Sequence, residues 1–247
     1  MSAVAITHDA VLDFFDVPAF ATHALKDWQS LAGVIDHTIL RPDATESQIV
    51  QHCREAADYG FACVMVNPTW ISLAHALLEG TTIKTAAVVG FPLGASLITG
   101  KREEAEQVLR LGAREIDMVL NIGALKSGYR KLVEQDVRGV VEVAHDAGAI
   151  VKVILECCLL TLEEKILGSE LVIMAGADFV KTSTGFSTGG ANVHDVGLLR
   201  GVVGSRCQVK AAGGIRTLEQ ARQMIEAGAS RIGSSAGVAM VREMGAP

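Results

Sequence analysis

Four ionisable residues stand inside runs of sequence that are otherwise apolar enough to be buried. Asp117 lies in Glu115-Ile116-Asp117-Met118-Val119-Leu120-Asn121 and Lys152 in Val151-Lys152-Val153-Ile154-Leu155-Glu156. Lys181 lies in Ala177-Asp178-Phe179-Val180-Lys181-Thr182-Ser183 and Lys210 in Gln208-Val209-Lys210-Ala211-Ala212-Gly213. An ammonium taken out of water is costly unless it is paired, so three of them gathered with one carboxylate point to a use. Lysine offers a covalent one. A neutral amine adds to a carbonyl and loses water to give an iminium, which takes up the electrons of a neighbouring carbon–carbon bond. At the ordinary lysine pKa of about 10.4, roughly one amine in 2500 is neutral at pH 7. A second ammonium about 5 Å away, at an effective dielectric near 20, repels by about 3 kcal/mol and raises that fraction about a hundredfold. Lys181 and Lys210 fit such an arrangement, and the residues alone do not say which is the nucleophile. Charges paired only for structure would account for one lysine more readily than for three.

These side chains converge only if strands carry them. Alternation along a strand puts Asp117, Val119 and Asn121 on one face and Ile116, Met118 and Leu120 on the other. It likewise turns Lys152, Ile154 and Glu156 inward, with Glu156 expected to position Lys152. Short apolar segments near 33–38, 61–66, 83–89, 115–120, 149–155, 178–182, 207–211 and 230–233 read as strands, each followed by a helical period or a glycine turn. Asp43 to Glu46 opens a helix that Gly60 closes, Gly100 precedes another from Lys101 to Leu111, and Thr217 with Gln220 forms a capping box ahead of Gly228. Eight strand–helix units predict an α/β protein whose residues 33–247 form one (β/α)8 barrel, with reacting groups at the carboxyl ends of the strands. A doubly wound sheet is the alternative. Residues 1–32, with apolar Val11, Leu12, Phe15, Phe20 and Leu25 and a break near Pro18, read as a helical extension capping the same domain.

The 247-residue chain is 49% hydrophobic but 4% aromatic, a composition suited to aliphatic parallel strands covered on both faces. A net charge of −6 argues against nucleic acid or an anionic membrane as the partner. The longest uncharged stretch, Thr85 to Gly100, is too short and too broken by glycine and proline to span a bilayer. No basic segment precedes apolar Ala3 to Ile6, so no secretory signal is expected and the cytoplasm is the expected compartment. Five cysteines without a C-x-x-C pair are expected to be free thiols.

Two glycine turns, Gly213-Gly214 after the seventh strand and Gly233-Ser234-Ser235 after the eighth, stand where barrels bind phosphate through backbone N–H groups. Thr184-Gly185, just after Lys181, adds a third wall. Of the histidines only His37 falls in a strand, where it reads as a hydrogen-bonded neighbour of Asp36; the others are scattered, so no metal site is expected. An iminium needs neither metal nor other cofactor.

The chain resembles the deoxyribose-phosphate aldolase family over nearly all of residues 33–240. The resemblance rests on Ile35-Asp36-His37-Thr38 with Pro42-Asp43-Ala44-Thr45, on Cys63 with Val66-Asn67-Pro68, and on Val89-Gly90-Phe91-Pro92-Leu93-Gly94. It continues through the four charged segments above, extended to Thr184-Gly185 and to Gly213-Gly214-Ile215-Arg216. It implies that Lys181 forms the Schiff base, that Lys210 perturbs it, and that Asp117 and Lys152 transfer protons through ordered water. Asp36, Thr38 and Cys63 are then expected to line the pocket, with small phosphosugar and aldehyde substrates and a homodimer as the assembly. Cys157-Cys158-Leu159 departs from the family, which often carries Thr there, and no Tyr stands near Pro247 to protonate the enamine. Two other functions fit the same barrel: a phosphosugar isomerase or epimerase, and a phosphate-binding barrel without catalysis.

Overall fold

A computed structural model describes residues 15–247. Two helices, α1 (Val17–Ala24) and α2 (Trp28–Ala32), lead into β1 (Ile35–Ile39), α3 (Glu46–Tyr59), β2 (Cys63–Val66), α4 (Ile71–Leu78) and β3 (Lys84–Val89). The chain continues through α5 (Ile98–Arg110), β4 (Glu115–Val119), α6 (Ile122–Lys126), α7 (Arg130–Asp146), β5 (Ile150–Ile154) and α8 (Leu162–Met174). It ends with β6 (Phe179–Lys181), α9 (Val193–Val203), β7 (Gln208–Ala212), α10 (Leu218–Glu226), β8 (Arg231–Ser234) and α11 (Gly237–Glu243). The eight strands are all parallel and close in chain order, β8 pairing back onto β1 through Ile35 and Ile232. This is the (β/α)8 barrel, not a doubly wound sheet, and closure leaves no strand edge exposed.

Local chemistry explains the element ends. Gly60, in left-handed backbone at φ 69°, closes α3, a conformation glycine adopts without a Cβ clash. Thr217 and Gln220 form the capping box of α10, and Thr161 with Glu164 forms another on α8. The helix expected from Lys101 instead begins at Ile98, because extended Leu97 supplies the turn into it and Gly100 falls within its first turn. Pro18 stands at the start of α1 and not at a break; its missing N–H costs nothing there. Val11 and Leu12 lie outside the described residues.

Outward strand residues such as Ile116, Met118, Val151, Val153 and Val180 pack against the helices in one continuous core, which Ala21, Ala24 and Leu31 of the first two helices join. Helix α1 lies on α10 and α2 on α11. The barrel interior is divided. Cys63, Met65, Ala86 and Val88 of β2 and β3, with Leu40, form a small apolar cluster, while β4 to β8 and β1 contribute the charged side chains described below. Among the described residues no helix is long and apolar enough to cross a membrane.

Candidate active site

Register brings the charged residues together. Asp117 pairs with Lys152 across β4 and β5, Ile154 with Lys181 across β5 and β6, Lys181 with Lys210 across β6 and β7, and Lys210 with Arg231 across β7 and β8. Lys152 thus lies one inward layer below Lys181, deeper than a group at the mouth. Lys181 Nζ donates to Asp117 Oδ2 at 2.7 Å, and Lys210 Nζ donates to the same oxygen at 2.6 Å and also to Asp36. Lys152 Nζ donates to Glu115 at 2.5 Å and to Asp117 Oδ1 at 3.0 Å. Arg231 closes the network, 2.6 Å from Asp36 and 3.4 Å from Glu115. Glu115 and Asp117, not Glu156, are therefore the carboxylates that hold Lys152.

Burial opposes charge on the three lysines, Arg231, Asp117 and Asp36, and what differs is the compensation. On Lys181 burial prevails: it pushes the pKa down to about 8 against the attraction of Asp117, with Lys210 and Lys152 adding repulsion. Lys210, the perturber expected from sequence, is thus a lesser influence than loss of water. On Lys210 itself, burial is outweighed by Asp117 and Asp36, and the ammonium is held above the usual lysine range. Lys152 is held well above it, because Asp117, Glu115 and Asp36 outweigh its burial. Asp117, buried among three lysines, and Asp36, buried beside Lys210 and Arg231, stay ionised below the usual carboxylate range. Four basic groups thus share three carboxylates. With Lys181 neutral the cluster holds three of each, so the network favours the neutral form of that one amine.

A cavity of about 480 Å³ opens at the carboxyl ends of the strands, and Lys181 alone of this cluster reaches its wall. Thr38, Thr184, Gly185, Gly213, Gly214, Gly233, Ser234 and Ser235 line it too. Asp36 and Cys63, expected on the wall, lie beneath it, fully buried. The inward residues of β1 alternate, so Thr38 reaches the mouth and Asp36 stays a layer down. Burial and nearby Asp36 also push the Cys63 thiol well above its usual range, and it packs in the apolar cluster with Met65, Ala86 and Val88.

The phosphate-type turns have free donors. Gly213 and Gly214 both take left-handed backbone, at φ 91° and 79°, and Gly185, Gly214 and Ser235 keep backbone N–H groups with no acceptor among the described residues. Gly233 has a second reason to be glycine: a Cβ there would stand 3.0 Å from Lys210 Cε and 2.9 Å from Ala212 Cβ. Arg41, His52, Phe186 and Arg216 also border the cavity and went unassigned from sequence. Arg216 follows the glycine pair closely in sequence, and its signal is a cation next to a turn expected to bind an anion.

His37 faces away from Asp36. Alternation turns it toward α3, where Nε2 meets Glu55 at 2.8 Å and the ring stacks on His52 at 3.5 Å with planes 6° apart. An ion cannot lie in the planes of two parallel rings at once, so His37, His52 and Glu55 do not converge as ligands. Asp36, Cys63 and Glu115 are also close together, but Lys210, Arg231 and Lys152 already occupy their carboxylates. Asn121, expected to face inward, instead caps α6 by accepting from the Ala124 N–H. Glu156 turns to Thr184.

The family model described as DeoC/LacD family aldolase matches residues 31–244. Over 212 residues the chain is 55% identical to a deoxyribose-phosphate aldolase of Geobacillus sp. (strain WCH70), covering 86% of this chain and 95% of that protein. It is 56% identical over 208 residues to one from Streptococcus pneumoniae serotype 19F, covering 84% and 94%. Among solved structures, the tetrameric deoxyribose phosphate aldolase of Aeropyrum pernix superposes with a TM-score of 0.85 at 37% identity, over 92% of this chain and 96% of that one.

Proposed function

Because the chain belongs to the DeoC/LacD family of aldolases, we propose that it cleaves 2-deoxy-D-ribose 5-phosphate reversibly to D-glyceraldehyde 3-phosphate and acetaldehyde, with Lys181 as the Schiff-base residue. Its similarity to proteins named deoxyribose-phosphate aldolase supports this substrate. So do the free backbone donors at Gly185, Gly214 and Ser235, which suit a phosphate monoester.

Neutral Lys181 adds to the C1 aldehyde, and loss of water gives the iminium. The C3 hydroxyl gives up its proton through ordered water to Asp117, which the Lys152 ammonium holds in place at 3.0 Å, and the C2–C3 bond breaks with its electrons moving into the iminium. Glyceraldehyde 3-phosphate leaves, and an enamine remains on Lys181. Protonation at C2 and hydrolysis release acetaldehyde and restore the amine. Asp117, 2.7 Å from Lys181 Nζ, is also placed to carry protons to and from the carbinolamine. Lys210 and Arg231 keep the surrounding charge balanced while Lys181 is neutral.

The observation that carries this reading is that one lysine of the buried cluster borders the cavity, and that its pKa is the one pushed down, to about 8. Sodium borohydride added with acetaldehyde tests it. The expected product carries an N-ethyl group on Lys181, located by peptide mass spectrometry. A label on Lys210 would reassign the nucleophile, and turnover without any label would favour an isomerase. A homodimer in the cytoplasm completes the reading, and light scattering reads the assembly.

A further inference from the structure

Among the described residues Glu156 is the one non-glycine residue with left-handed backbone, at φ 57° and ψ 61°. Glycine would adopt this conformation with less strain, so a glutamate kept there signals that its side chain is needed. The twist lets the chain leave β5 with Leu155 N–H on Lys181 O and Cys157 N–H on Thr182 O, both at 2.9 Å. It also throws the Glu156 carboxylate across the loop that follows the proposed Schiff-base lysine. That carboxylate is buried and accepts from the Thr184 N–H, at 3.3 and 3.4 Å to its two oxygens, and from the Thr184 hydroxyl. Thr184 Oγ1 in turn accepts from the Phe186 N–H at 3.0 Å. The backbone donors of residues 184 and 186 are thereby used up, and the Gly185 N–H between them is left free on the cavity wall.

We propose that Glu156 is a positioning residue that sets the preference for a phosphorylated substrate, by fixing Thr184-Gly185-Phe186 so that the Gly185 N–H is presented to a phosphate monoester. Its carboxylate is turned onto Thr184 and is not part of the cavity wall. This inference rests on the function proposed above, and a sugar without phosphate does not use the Gly185 donor.

The test compares 2-deoxyribose 5-phosphate with 2-deoxyribose. Glu156→Gly, which relaxes the backbone and removes the carboxylate, is expected to raise KM for the phosphorylated sugar about tenfold while kcat/KM for 2-deoxyribose changes less than about threefold. Glu156→Gln keeps one acceptor oxygen for Thr184 and restores most of the preference. Thr184→Val, which breaks the same link from the other side, reproduces the split even if Glu156→Gly fails to fold. Equal losses on both sugars in Glu156→Gly or Thr184→Val, or an unchanged ratio between them, would overturn the inference. Borohydride trapping of acetaldehyde on Lys181 separates the two levels: an unchanged ratio with trapping intact defeats the role of Glu156 alone, whereas no trapping in the unaltered protein defeats the aldolase mechanism itself.

Discussion

Lys181 and Lys210 are register partners on β6 and β7, and both donate to one oxygen of Asp117, at 2.7 and 2.6 Å. Their protons are nevertheless held very differently. Lys210 has a second carboxylate, Asp36, and no contact with the cavity; Lys181 has Asp117 alone and stands on the wall. Two amines in similar strand positions thus divide into a fixed cation and a titratable amine, and the division comes from where the carboxylates sit.

The pH dependence follows from that division. With the Lys181 pKa near 8, kcat/KM is expected to rise through an acidic limb near pH 8, as the neutral amine appears. Lys210→Met removes a repelling charge and frees Asp117 Oδ2 for Lys181. Both changes favour the ammonium, so the limb moves to higher pH, and activity at pH 7 falls about tenfold for each pH unit moved. A pH–rate profile reads this, and a limb that stayed in place or moved down would contradict it.

Arg231 is expected to act on the same limb without touching substrate. Arg231→Met leaves Asp36 and Glu115 to Lys210 and Lys152, so the cluster carries one excess negative charge when Lys181 is neutral. Lys181 then holds its proton more tightly, and activity at pH 7 falls by about an order of magnitude. Raising the pH toward 9 restores it, which recovery from a folding defect would not mimic. Arg231→Lys keeps the charge and most of the activity; a pH-independent loss in Arg231→Met would remove Arg231 from the electrostatic account.

Gly233→Ala tests how closely Lys210 is packed. The added methyl meets Ala212 Cβ at 2.9 Å and Lys210 Cε at 3.0 Å, so β8 or the lysine stem must give. Overpacking of this kind costs about 1–3 kcal/mol. The variant is expected to melt several degrees lower and to shift its acidic limb as Lys210 is displaced from Asp117. A wild-type melting curve together with a wild-type pH profile would show that the stem has room.

Much of this is legible in the sequence. The eight strands fall within a few residues of their apolar segments; period-2 alternation turns Asp117 and Lys152 inward, and Lys181 and Lys210 stand at the carboxyl ends of theirs. The same parity covers Glu115 and Arg231, but one reads as the first residue of its strand and the other as the second of a short one. Depth was not legible. Whether Asp36 lies on the wall or beneath it depends on the stagger between strands, which no single strand records. Glu156 escaped because a left-handed residue ends the alternation, and the stacking of His37 on His52 depends on how α3 packs against β1. Asn121 escaped because β4 ends two residues before it.

Away from the cavity, Lys101 and Asp136 form a buried pair between α5 and α7. Lys101 Nζ lies 2.5 Å from Asp136 Oδ2 and also donates to Val119 O at 2.8 Å, at the end of the strand that carries Asp117. Burial pushes Asp136 up and Lys101 down, each toward its neutral form, and the contact between them offsets this. Lys101→Met would strand the Asp136 carboxylate and is expected to destabilise the fold by roughly 3–5 kcal/mol, whereas adding Asp136→Leu recovers most of the loss. The sign of the pH effect identifies the cause. In Lys101→Met the folded Asp136 pKa lies above its unfolded value, so the folded form binds more protons, and the variant loses stability as pH rises from the unfolded value through the folded one. Urea unfolding at pH 5 and pH 7 reads it: the single variant is expected to lie closer to wild type at pH 5, and the double variant to show the same deficit at both. A single variant equally weak at both pH values would mean that lost packing around the lysine stem, not a stranded charge, sets the cost.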